Sequence, residues 1–431
     1  MKKEMEEIMQ RAMELVAHLA KGEFEAATKN FDETMKKVAS PEFLKKVWEQ
    51  LQSQLGSFKE IKSSRIETST AYDFVIIACQ FEKEIFDARV VFNKSGEIAG
   101  LNFGPHLEVK ESPPPAYAKP ELFEEKEVEI KTGEWILPGT LTIPKGDGRF
   151  PALVLVHGSG PNDRDETIGP NKPFRDLAWG LASKGIAVLR YEKRTKVYGQ
   201  KLALDKKLAV ALTVNEETVD DAISAVALLK TIDKIDPTKI FILGHSLGGM
   251  MIPRIAVRDP SIAGFIIMAG ITRKLEEAIL EQTKYIFSLQ GFLTDETKKK
   301  LNEIEELAAK IKALKETGDN PEEPILGAYP AYWLDLRHYN PLEEVKKIDK
   351  PLLILQGKRD YQVTEKDFEN WKKALEGRKN ATFKLYPACN HLFIEGKGPI
   401  TPNEYLFTAG NVSEEVINDI ALWLKSMLSQ K

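Results

Sequence analysis

The stretch Lys239–Gly249 reads KIFILGHSLGG, and it decides the fold. Its first part, Ile240–Leu243, is a short apolar run typical of a strand that is buried on both faces of a parallel sheet. A G-x-S-x-G pattern from Gly244 to Gly248 follows directly, and the helical pattern MMIPRIAVR comes next. The pattern predicts a sharp strand-to-helix turn that presents the Ser246 hydroxyl, as a nucleophile, at a helix N-terminus.

The glycines of this pattern have a physical reason. A Cβ two residues before or after the serine would collide with neighbouring backbone in such a tight turn. A plain strand-to-helix turn without chemistry is the alternative. The position between a buried-strand pattern and a helical pattern favours the nucleophile, because this is the context that the motif requires.

Length and composition indicate a globular protein of two or three domains. The chain has 431 residues, 42% of them hydrophobic, and a formal net charge of -4. That charge gives no basic footprint for nucleic acid, and no apolar run reaches the length of a membrane span. The first twenty residues lack the continuous apolar core of a signal peptide. We therefore expect a cytoplasmic protein, although a secretion signal removed beforehand would leave the same sequence.

Two cysteines, Cys79 and Cys389, each lie in or near an apolar strand-like run. We expect both to be reduced core residues rather than a disulfide, which favours a reducing compartment. Charged residues make up 29% of the chain and are dominated by Lys and Glu. This fits a thermophilic protein, and a solvated helical surface explains it equally well.

Residues 1–105 change from helical to strand patterns and predict a small α+β domain. Three helical stripes come first, with apolar residues at Ile8 to Leu19, Phe24 to Val38 and Phe43 to Leu51. Strand patterns follow from Ile61 to Phe103. The order is similar to the cone-shaped NTF2-like domains. We expect this domain to shape the substrate site or to form a homodimer contact, with inert packing as the alternative.

A proline-rich linker is predicted at residues 106–126 because three consecutive prolines begin at Pro113. From 127 to 431 the chain alternates strands with helices, after two antiparallel edge strands at 127–143. Buried-strand patterns begin at Ala152, Ile186, Ile240, Gly264, Leu352 and Thr382. This alternation predicts an α/β fold with a mostly parallel, doubly wound sheet.

One connection is too long for that scheme. Residues 271–348 carry helical patterns at 275–289 and 296–314, followed by the aromatic string Tyr329, Tyr332, Trp333 and Tyr339. Long loops with their own structure are commonly functional lids. We interpret the segment as a helical cap over the carboxyl ends of the strands, where open α/β sheets bind ligands.

A serine nucleophile needs a general base within hydrogen-bond reach and a third group that orients the base. The α/β-hydrolase order is nucleophile, acid, histidine. Asp360 directly follows the LLILQ strand, and His391 follows the TFKLY strand in PACNHLF. Glu365 and Asp367 are competing acids, but they fall in the following helix. The predicted catalytic residues are therefore Ser246, Asp360 and His391.

The other histidines are not predicted to be catalytic. His18 and His106 lie in the amino-terminal region, and His245 flanks the nucleophile and points away on the turn. His338 lies in the cap and is interpreted as a surface or packing residue. His157 is interpreted as a residue that shapes its own loop.

Acyl transfer also requires donors to the oxyanion, each contributing roughly 2.7 to 4 kcal/mol in such sites. The N–H of Leu247, directly after the nucleophile, is one predicted donor. The sequence His157-Gly158-Ser159-Gly160 follows the first central strand and resembles an H-G-x oxyanion motif. The backbone N–H of Ser159 is the second predicted donor.

The chain from about Glu127 onward resembles the α/β-hydrolase superfamily. The combination of HGSGPNDRDET, KRTKVYG, GHSLGG, GKRDYQV and NHLF is similar to bacterial carboxylesterases related to dienelactone hydrolases and acyl-peptidases. The resemblance implies a triad of Ser246, Asp360 and His391. Dienelactone hydrolases have cysteine as nucleophile, so serine favours ester hydrolysis. The cap and the amino-terminal domain depart from the family pattern, so the resemblance implies the reaction and not the substrate.

No metal spacing and no phosphate or dinucleotide loop occurs, so we expect no cofactor. Arg190, Lys193 and Arg194 either bind an anionic substrate group or, the interpretation we favour, pair with acids such as Asp163 and Asp165. We expect a serine carboxylesterase for small-molecule esters of short or medium acyl length. The alternatives are an aminopeptidase or acyl-peptidase, an acyltransferase on the same triad, and a binding protein with a vestigial hydrolase fold.

Overall fold

The computed structural model describes residues 2–68, 73–93, 95–106, 112–289, 291, 295–317 and 320–428. The chain divides into two compact units, residues 1–108 and 109–431. Of the predicted linker 106–126, residues 107–111 lie outside the described residues. Its later part packs on the second unit, where the Tyr117 hydroxyl donates to the Val412 carbonyl over 2.7 Å.

The first unit packs four helices against a four-stranded antiparallel sheet of order β1-β2-β3-β4. The helices are α1 (Lys2–Lys21), α2 (Phe24–Ala27), α3 (Glu33–Val38) and α4 (Pro41–Leu55). The strands are β1 (Phe58–Thr68), β2 (Asp73–Phe81), β3 (Ile85–Phe92) and β4 (Ile98–Pro105). Helix α4 begins where the sequence predicts it, because Ser40 accepts from the Phe43 N–H and Pro41 occupies the first turn.

The predicted helix over Phe24 to Val38 is wrong as one continuous element. Phe31 forms an isolated bridge with Ile98 of β4, and the Asp32 side chain accepts from the Met35 N–H to start a new helix. A helix cap at Asp32 competes with continuation of the preceding helix. Val38, assigned to the apolar stripe, is 65% exposed.

The second unit is built on an eight-stranded sheet of order β12-β11-β10-β9-β7-β8-β6-β5. Its strands are β5 (Phe123–Thr132), β6 (Trp135–Pro144), β7 (Phe150–Val156), β8 (Ala187–Tyr191), β9 (Ile235–His245), β10 (Gly264–Met268), β11 (Leu352–Gly357) and β12 (Ala381–Tyr386). Strands β7 to β12 pair in parallel, and β5 and β6 add an antiparallel edge. The prediction of a mostly parallel α/β sheet is confirmed.

Helices cover this sheet and fill its long connection. They are α5 (Pro173–Ala182), α6 (Arg194–Val197), α7 (Gly199–Leu204), α8 (Lys206–Ala211), α9 (Asp220–Lys230), α10 (Leu247–Arg258), α11 (Leu275–Ser288), α12 (Asp295–Lys312), α13 (Pro330–His338), α14 (Pro341–Glu344), α15 (Glu365–Ala374), α16 (Asn403–Leu406) and α17 (Glu414–Leu428). A π-helical turn at Asn215–Val219 precedes α9. No helix among these described elements is long and apolar enough to cross a membrane.

The insertion between β10 and β11 carries α11 and α12 close to where the sequence predicts helices, and α13 and α14, which the helical patterns did not predict, cover the end of the segment. Its aromatic string, however, is anchored in the core. The hydroxyls of Tyr332 and Tyr339 donate to Glu217 and to the Met250 carbonyl, and the Trp333 indole donates to the Ile325 carbonyl. These three rings are at most 8% exposed. They hold the insertion on the body of the unit and do not form an open aromatic surface.

Candidate active site

Ser246 sits at the strained turn that the motif predicts. It lies between β9 and α10 with φ 54° and ψ -115°. Residues other than glycine rarely adopt this backbone conformation. An added Cβ at Gly244 would lie 2.3 Å from the Gly248 carbonyl oxygen, and one at Gly248 would lie 2.3 Å from the Val156 oxygen. Only glycine fits at both positions, so the steric interpretation of the pattern is confirmed.

Asp360 and His391 meet across the carboxyl ends of β11 and β12. The Nδ1–H of His391 donates to Asp360 Oδ2 over 2.6 Å. The other oxygen of Asp360 accepts the N–H groups of Gln362 and Val363 at 2.8 and 2.9 Å. A carboxylate held in this way fixes the imidazole tautomer with Nε2 unprotonated, the form that a general base needs.

The competing acids have other roles. Asp367 is fully buried in α15 and accepts from Arg273 Nη2 at 2.7 Å and from Thr272 Oγ1 at 2.6 Å. Glu365 lies 3.9 Å from the ammonium of Lys358. Neither carboxylate contacts His391 in the part of the chain that the structure describes, which leaves Asp360 as its acidic partner.

The nucleophile turn and the histidine loop are in contact through the residue before Ser246. His245 Nε2 donates to the backbone carbonyl of His391 over 3.0 Å, and the two imidazole ring centres are 4.7 Å apart. No hydrogen bond joins Ser246 Oγ to His391 among the described residues. Unliganded hydrolase sites often leave this bond long and shorten it only with substrate bound.

The loop after β7 passes directly beside Ser246. An added Cβ at Gly158 would lie 3.1 Å from Ser246 Cβ and 3.6 Å from its Oγ. The predicted oxyanion donors, the N–H groups of Ser159 and Leu247, make no hydrogen bond within the described residues. Leu247 is the first residue of α10, where backbone N–H groups point outward unpaired.

Glu166 and His245 form a buried ion pair that the sequence analysis missed. Glu166 Oε2 lies 2.8 Å from His245 Nδ1, with the side chains 2% and 3% exposed. Both imidazole nitrogens of His245 therefore lie close to oxygen atoms: Nε2 donates to the His391 carbonyl, and Nδ1 lies at ion-pair distance from Glu166 without a well-aligned hydrogen bond. Burial alone would lower the pKa of His245, but the Glu166 carboxylate outweighs it and raises the pKa.

His245 thus turns inward, and the expectation that it points away is wrong. The same ion pair lowers the pKa of Glu166 despite the opposing effect of burial. The other oxygen of Glu166 accepts the Gly158 N–H over 2.6 Å. Glu166 lies within the quoted motif HGSGPNDRDET, but its partner His245 is far along the chain. Hydrophobic periodicity does not show which distant residues pair.

The basic residues in and after β8 pair with acids, as favoured, and Asp165 is one of the predicted partners. Arg190 binds Asp165 and Glu125, and Arg194 Nη2 lies 2.6 Å from Asp221. Lys193 Nζ lies 3.4 Å from Glu217. Asp163, one of the predicted partners, instead caps its own turn by accepting the N–H groups of Asp165 and Thr167.

His157 and His338 of the second unit have other roles. His157 packs its ring 5.1 and 5.2 Å from those of Phe174 and Tyr191, and burial lowers its pKa to about 4. It is therefore neutral near pH 7. His338 is a surface residue, 63% exposed, that pairs with Glu316.

Comparison with known proteins places the chain among hydrolases. The family profile described as serine aminopeptidase, S33, matches residues 172–397. The profile of a protein family of unknown function, DUF3887, matches residues 12–101. Esterase EstD from Thermotoga maritima is 41% identical over 415 residues, which cover 96% of this chain and 95% of that protein. The S33 match includes Ser246, Asp360 and His391.

Solved structures resemble the chain more distantly. An esterase from Pyrococcus furiosus is 17% identical with a TM-score of 0.45, covering 75% of this chain and 100% of that one. Est1E from Butyrivibrio proteoclasticus is 16% identical with a TM-score of 0.45, covering 70% and 99%.

Proposed function

Since the chain belongs to the family described as serine aminopeptidase, S33, we propose that it is a serine esterase whose triad is Ser246, Asp360 and His391. The observation that supports this most is the 2.6 Å bond from His391 to Asp360. His245, the residue before Ser246, contacts the His391 backbone, and Ser246 itself lies on a strained turn that is typical of nucleophiles. The identity to an esterase along nearly the whole chain favours carboxylic esters as substrates.

The reaction follows from the roles of these groups. His391 Nε2 takes the hydroxyl proton as Ser246 Oγ attacks the acyl carbon, and Asp360 stabilises the imidazolium. The N–H groups of Leu247 and Ser159 bind the oxyanion of the tetrahedral intermediate. The C–O bond then breaks, and the leaving alcohol takes its proton from His391. Water, deprotonated by the same histidine, attacks the acyl-enzyme and releases the acid.

The triad is tested by turnover of p-nitrophenyl esters. Ser246→Ala should lower kcat by on the order of 10⁴-fold or more, because it removes the nucleophile. Ser261→Ala is the matched control: Ser261 precedes β10 at the opposite end of the sheet, and its variant should retain turnover. Activity of Ser246→Ala within about tenfold of wild type would contradict the mechanism.

The substrate proposal is a short or medium apolar acyl group. Tyr361 directly follows the acid and stacks 5.2 Å from Tyr285 of α11 and 6.3 Å from Tyr405 of α16. Tyr285 and Tyr361 are half-buried and, rather than the buried string at 329–339, supply the proposed aromatic surface beside the triad, whereas Tyr405 is buried and contributes only by stacking on Tyr361. Aromatic faces favour apolar and aryl groups over charged ones.

A panel of p-nitrophenyl esters of increasing acyl length tests this preference. Tyr285→Ala should raise KM for the preferred ester, whereas Tyr329→Ala, a half-buried tyrosine elsewhere in the insertion, should not. An unchanged length profile in Tyr285→Ala would contradict the role of the stack. Because the family description names aminopeptidases, a peptide anilide belongs in the panel, and faster cleavage of the anilide would favour that activity.

We also propose a cytoplasmic location. Its support is that Cys79 and Cys389 are both buried free thiols, the state that a reducing compartment maintains.

A further inference from the structure

Lys193 is a buried cation whose nearest acceptor is the backbone of the loop beside the nucleophile. Its side chain is 2% exposed. The ammonium donates to the Gly158 carbonyl oxygen over 2.8 Å and lies 3.4 Å from Glu217. The contact to the carbonyl is the shorter of the two, so Lys193 does more than form an ion pair with Glu217.

The peptide group that Lys193 holds is the one that contains the Ser159 N–H. The Gly158 carbonyl and the Ser159 N–H belong to one planar peptide unit, which is trans here. In a trans peptide these two dipoles point in opposite directions. Gly158 is buried and Ser159 is exposed. Fixing the carbonyl inward on Lys193 therefore aims the N–H outward, on the accessible side.

The preceding peptide is held from the other side. Glu166 accepts the Gly158 N–H over 2.6 Å, so each peptide group that flanks Gly158 has a buried charged partner. Asn162 Nδ2 adds a second donor to the Gly158 oxygen, at 3.2 Å. A cation on the carbonyl also polarises the peptide and strengthens its N–H as a donor.

We propose that Lys193 is a positioning residue of the oxyanion hole, acting through the Gly158–Ser159 peptide. The proposal rests on the esterase function proposed above. Lys193 touches no reacting atom. Its effect is to hold one donor where negative charge develops on the acyl oxygen, so its loss weakens transition-state binding and leaves ground-state binding intact.

Lys193→Met tests this, because methionine keeps an unbranched apolar stem and removes the ammonium. We expect kcat for a p-nitrophenyl ester to fall by about 10- to 100-fold, as for a misplaced oxyanion donor, with KM within about twofold. Inhibition by phenylboronic acid, which forms a tetrahedral adduct with serine, should weaken in parallel.

Arg194→Met is the matched control. Arg194 is the neighbouring buried cation, 3% exposed, but its partner is Asp221, and within the described residues it makes no hydrogen bond to the loop after β7. Its variant should lose thermal stability because it leaves a buried carboxylate unpaired. Its kcat should stay near the wild-type value at temperatures where it is folded.

Asn162→Ala is the second test, and it decides the question if Lys193→Met does not fold. This half-buried residue supplies the other donor to the Gly158 carbonyl, so its variant should show the same selective loss of kcat, to a smaller degree. Wild-type kcat and boronate affinity in both Lys193→Met and Asn162→Ala would overturn the proposal. An equal loss in Arg194→Met would also overturn it, by tracing the effect to folding.

These outcomes are separate from failure of the esterase function itself. If wild type neither turns over esters nor reacts with a fluorophosphonate probe at Ser246, the proposed function fails. If wild type is active, Ser246→Ala is inactive and Lys193→Met matches wild type, only the positioning role fails.

Discussion

Single residues at the nucleophile turn are constrained by backbone rather than by side-chain packing. An added Cβ at Gly248 would lie 2.3 and 2.6 Å from the carbonyl oxygens of Val156 and His157. Backbone cannot shift as a flexible side chain does. Sequence reasoning could predict this, because the glycines, the serine and the strand before them are neighbours in the chain.

Gly248→Ala should therefore destabilise the protein by at least about 2 kcal/mol, because of the clash with β7. Gly199→Ala is the control: an added Cβ there meets nothing within 4 Å and its φ is not positive, so the change should stay within about 1 kcal/mol. Urea unfolding of both variants measures the difference. Equal stability would contradict the steric account of the motif.

The buried pair of Glu166 and His245 predicts a dependence of stability on pH. The groups that face it are His391, Asp360 and His157. The raised pKa of His245, ordinarily 6.5, contributes stability that is fully present below pH 6.5 and is lost as pH rises through the folded-state pKa. The lowered pKa of Glu166, ordinarily 4.5, contributes stability that is present above pH 4.5 and is lost as pH falls through its folded-state pKa.

The stability advantage of wild type over Glu166→Gln should thus be greatest between pH 4.5 and 6.5 and should shrink as the solution becomes alkaline. Denaturant unfolding across a pH series measures it. A difference that is constant from pH 5 to pH 9 would show that the pair is not ionised as described. The pair escaped the sequence analysis because its members are remote in the chain, whereas Ser246, Asp360 and His391 each follow a recognisable strand.

At the scale of elements, hydrophobic periodicity predicts most of the second unit. The parallel strands are short apolar runs, and α11 and α12 begin within a residue or two of their patterns. Hydrophobic periodicity does not predict the structure where a helix cap or a hydrogen bond to a distant residue determines it. Asp32 divides the second predicted helix, and hydrogen bonds to Glu217, the Met250 carbonyl and the Ile325 carbonyl draw the rings of the insertion into the core.

Asp367 joins α15 to the start of the insertion. It is fully buried and accepts from both Arg273 and Thr272. Asp367→Asn should destabilise the protein by about 3–5 kcal/mol, because it leaves the Arg273 charge without its buried partner. Glu369→Gln in the same helix removes an exposed pair with Lys372 and should cost no more than about 1 kcal/mol. Thermal unfolding of the two variants compares them, and equal shifts would contradict the anchoring role.

The described part of the molecule contains two large hydrophobic cores, one in each unit, and a small cluster of Leu392, Ile394 and Tyr405 in the second unit. One large core lies within residues 12–98 and the other within residues 130–424, so neither unit needs the other to bury its apolar face. The sequence predicts this division from the change of pattern and the proline-rich stretch that follows it. The sequence does not predict what the first unit does, because no catalytic motif is recognised in it. The homodimer stays a prediction, and sedimentation velocity, which measures the oligomeric state, tests it.

Independent cores predict independent folding. A chain that begins at residue 109 should unfold cooperatively and retain ester turnover, and calorimetry of the full chain should resolve two transitions. Aggregation of the shortened chain, or a single transition for the full chain with equal calorimetric and van't Hoff enthalpies, would contradict this.

The two native cysteines allow site-specific labelling at an introduced cysteine. Each unit holds one thiol, both are buried, and burial raises the pKa of Cys79 and of Cys389 to about 12. Thiolates are the reactive species toward maleimides, so neither native sulfur competes with an engineered one under mild labelling conditions. One surface cysteine introduced into each unit would accept a dye pair, and energy transfer between the dyes would report how the separation of the two units responds to substrate.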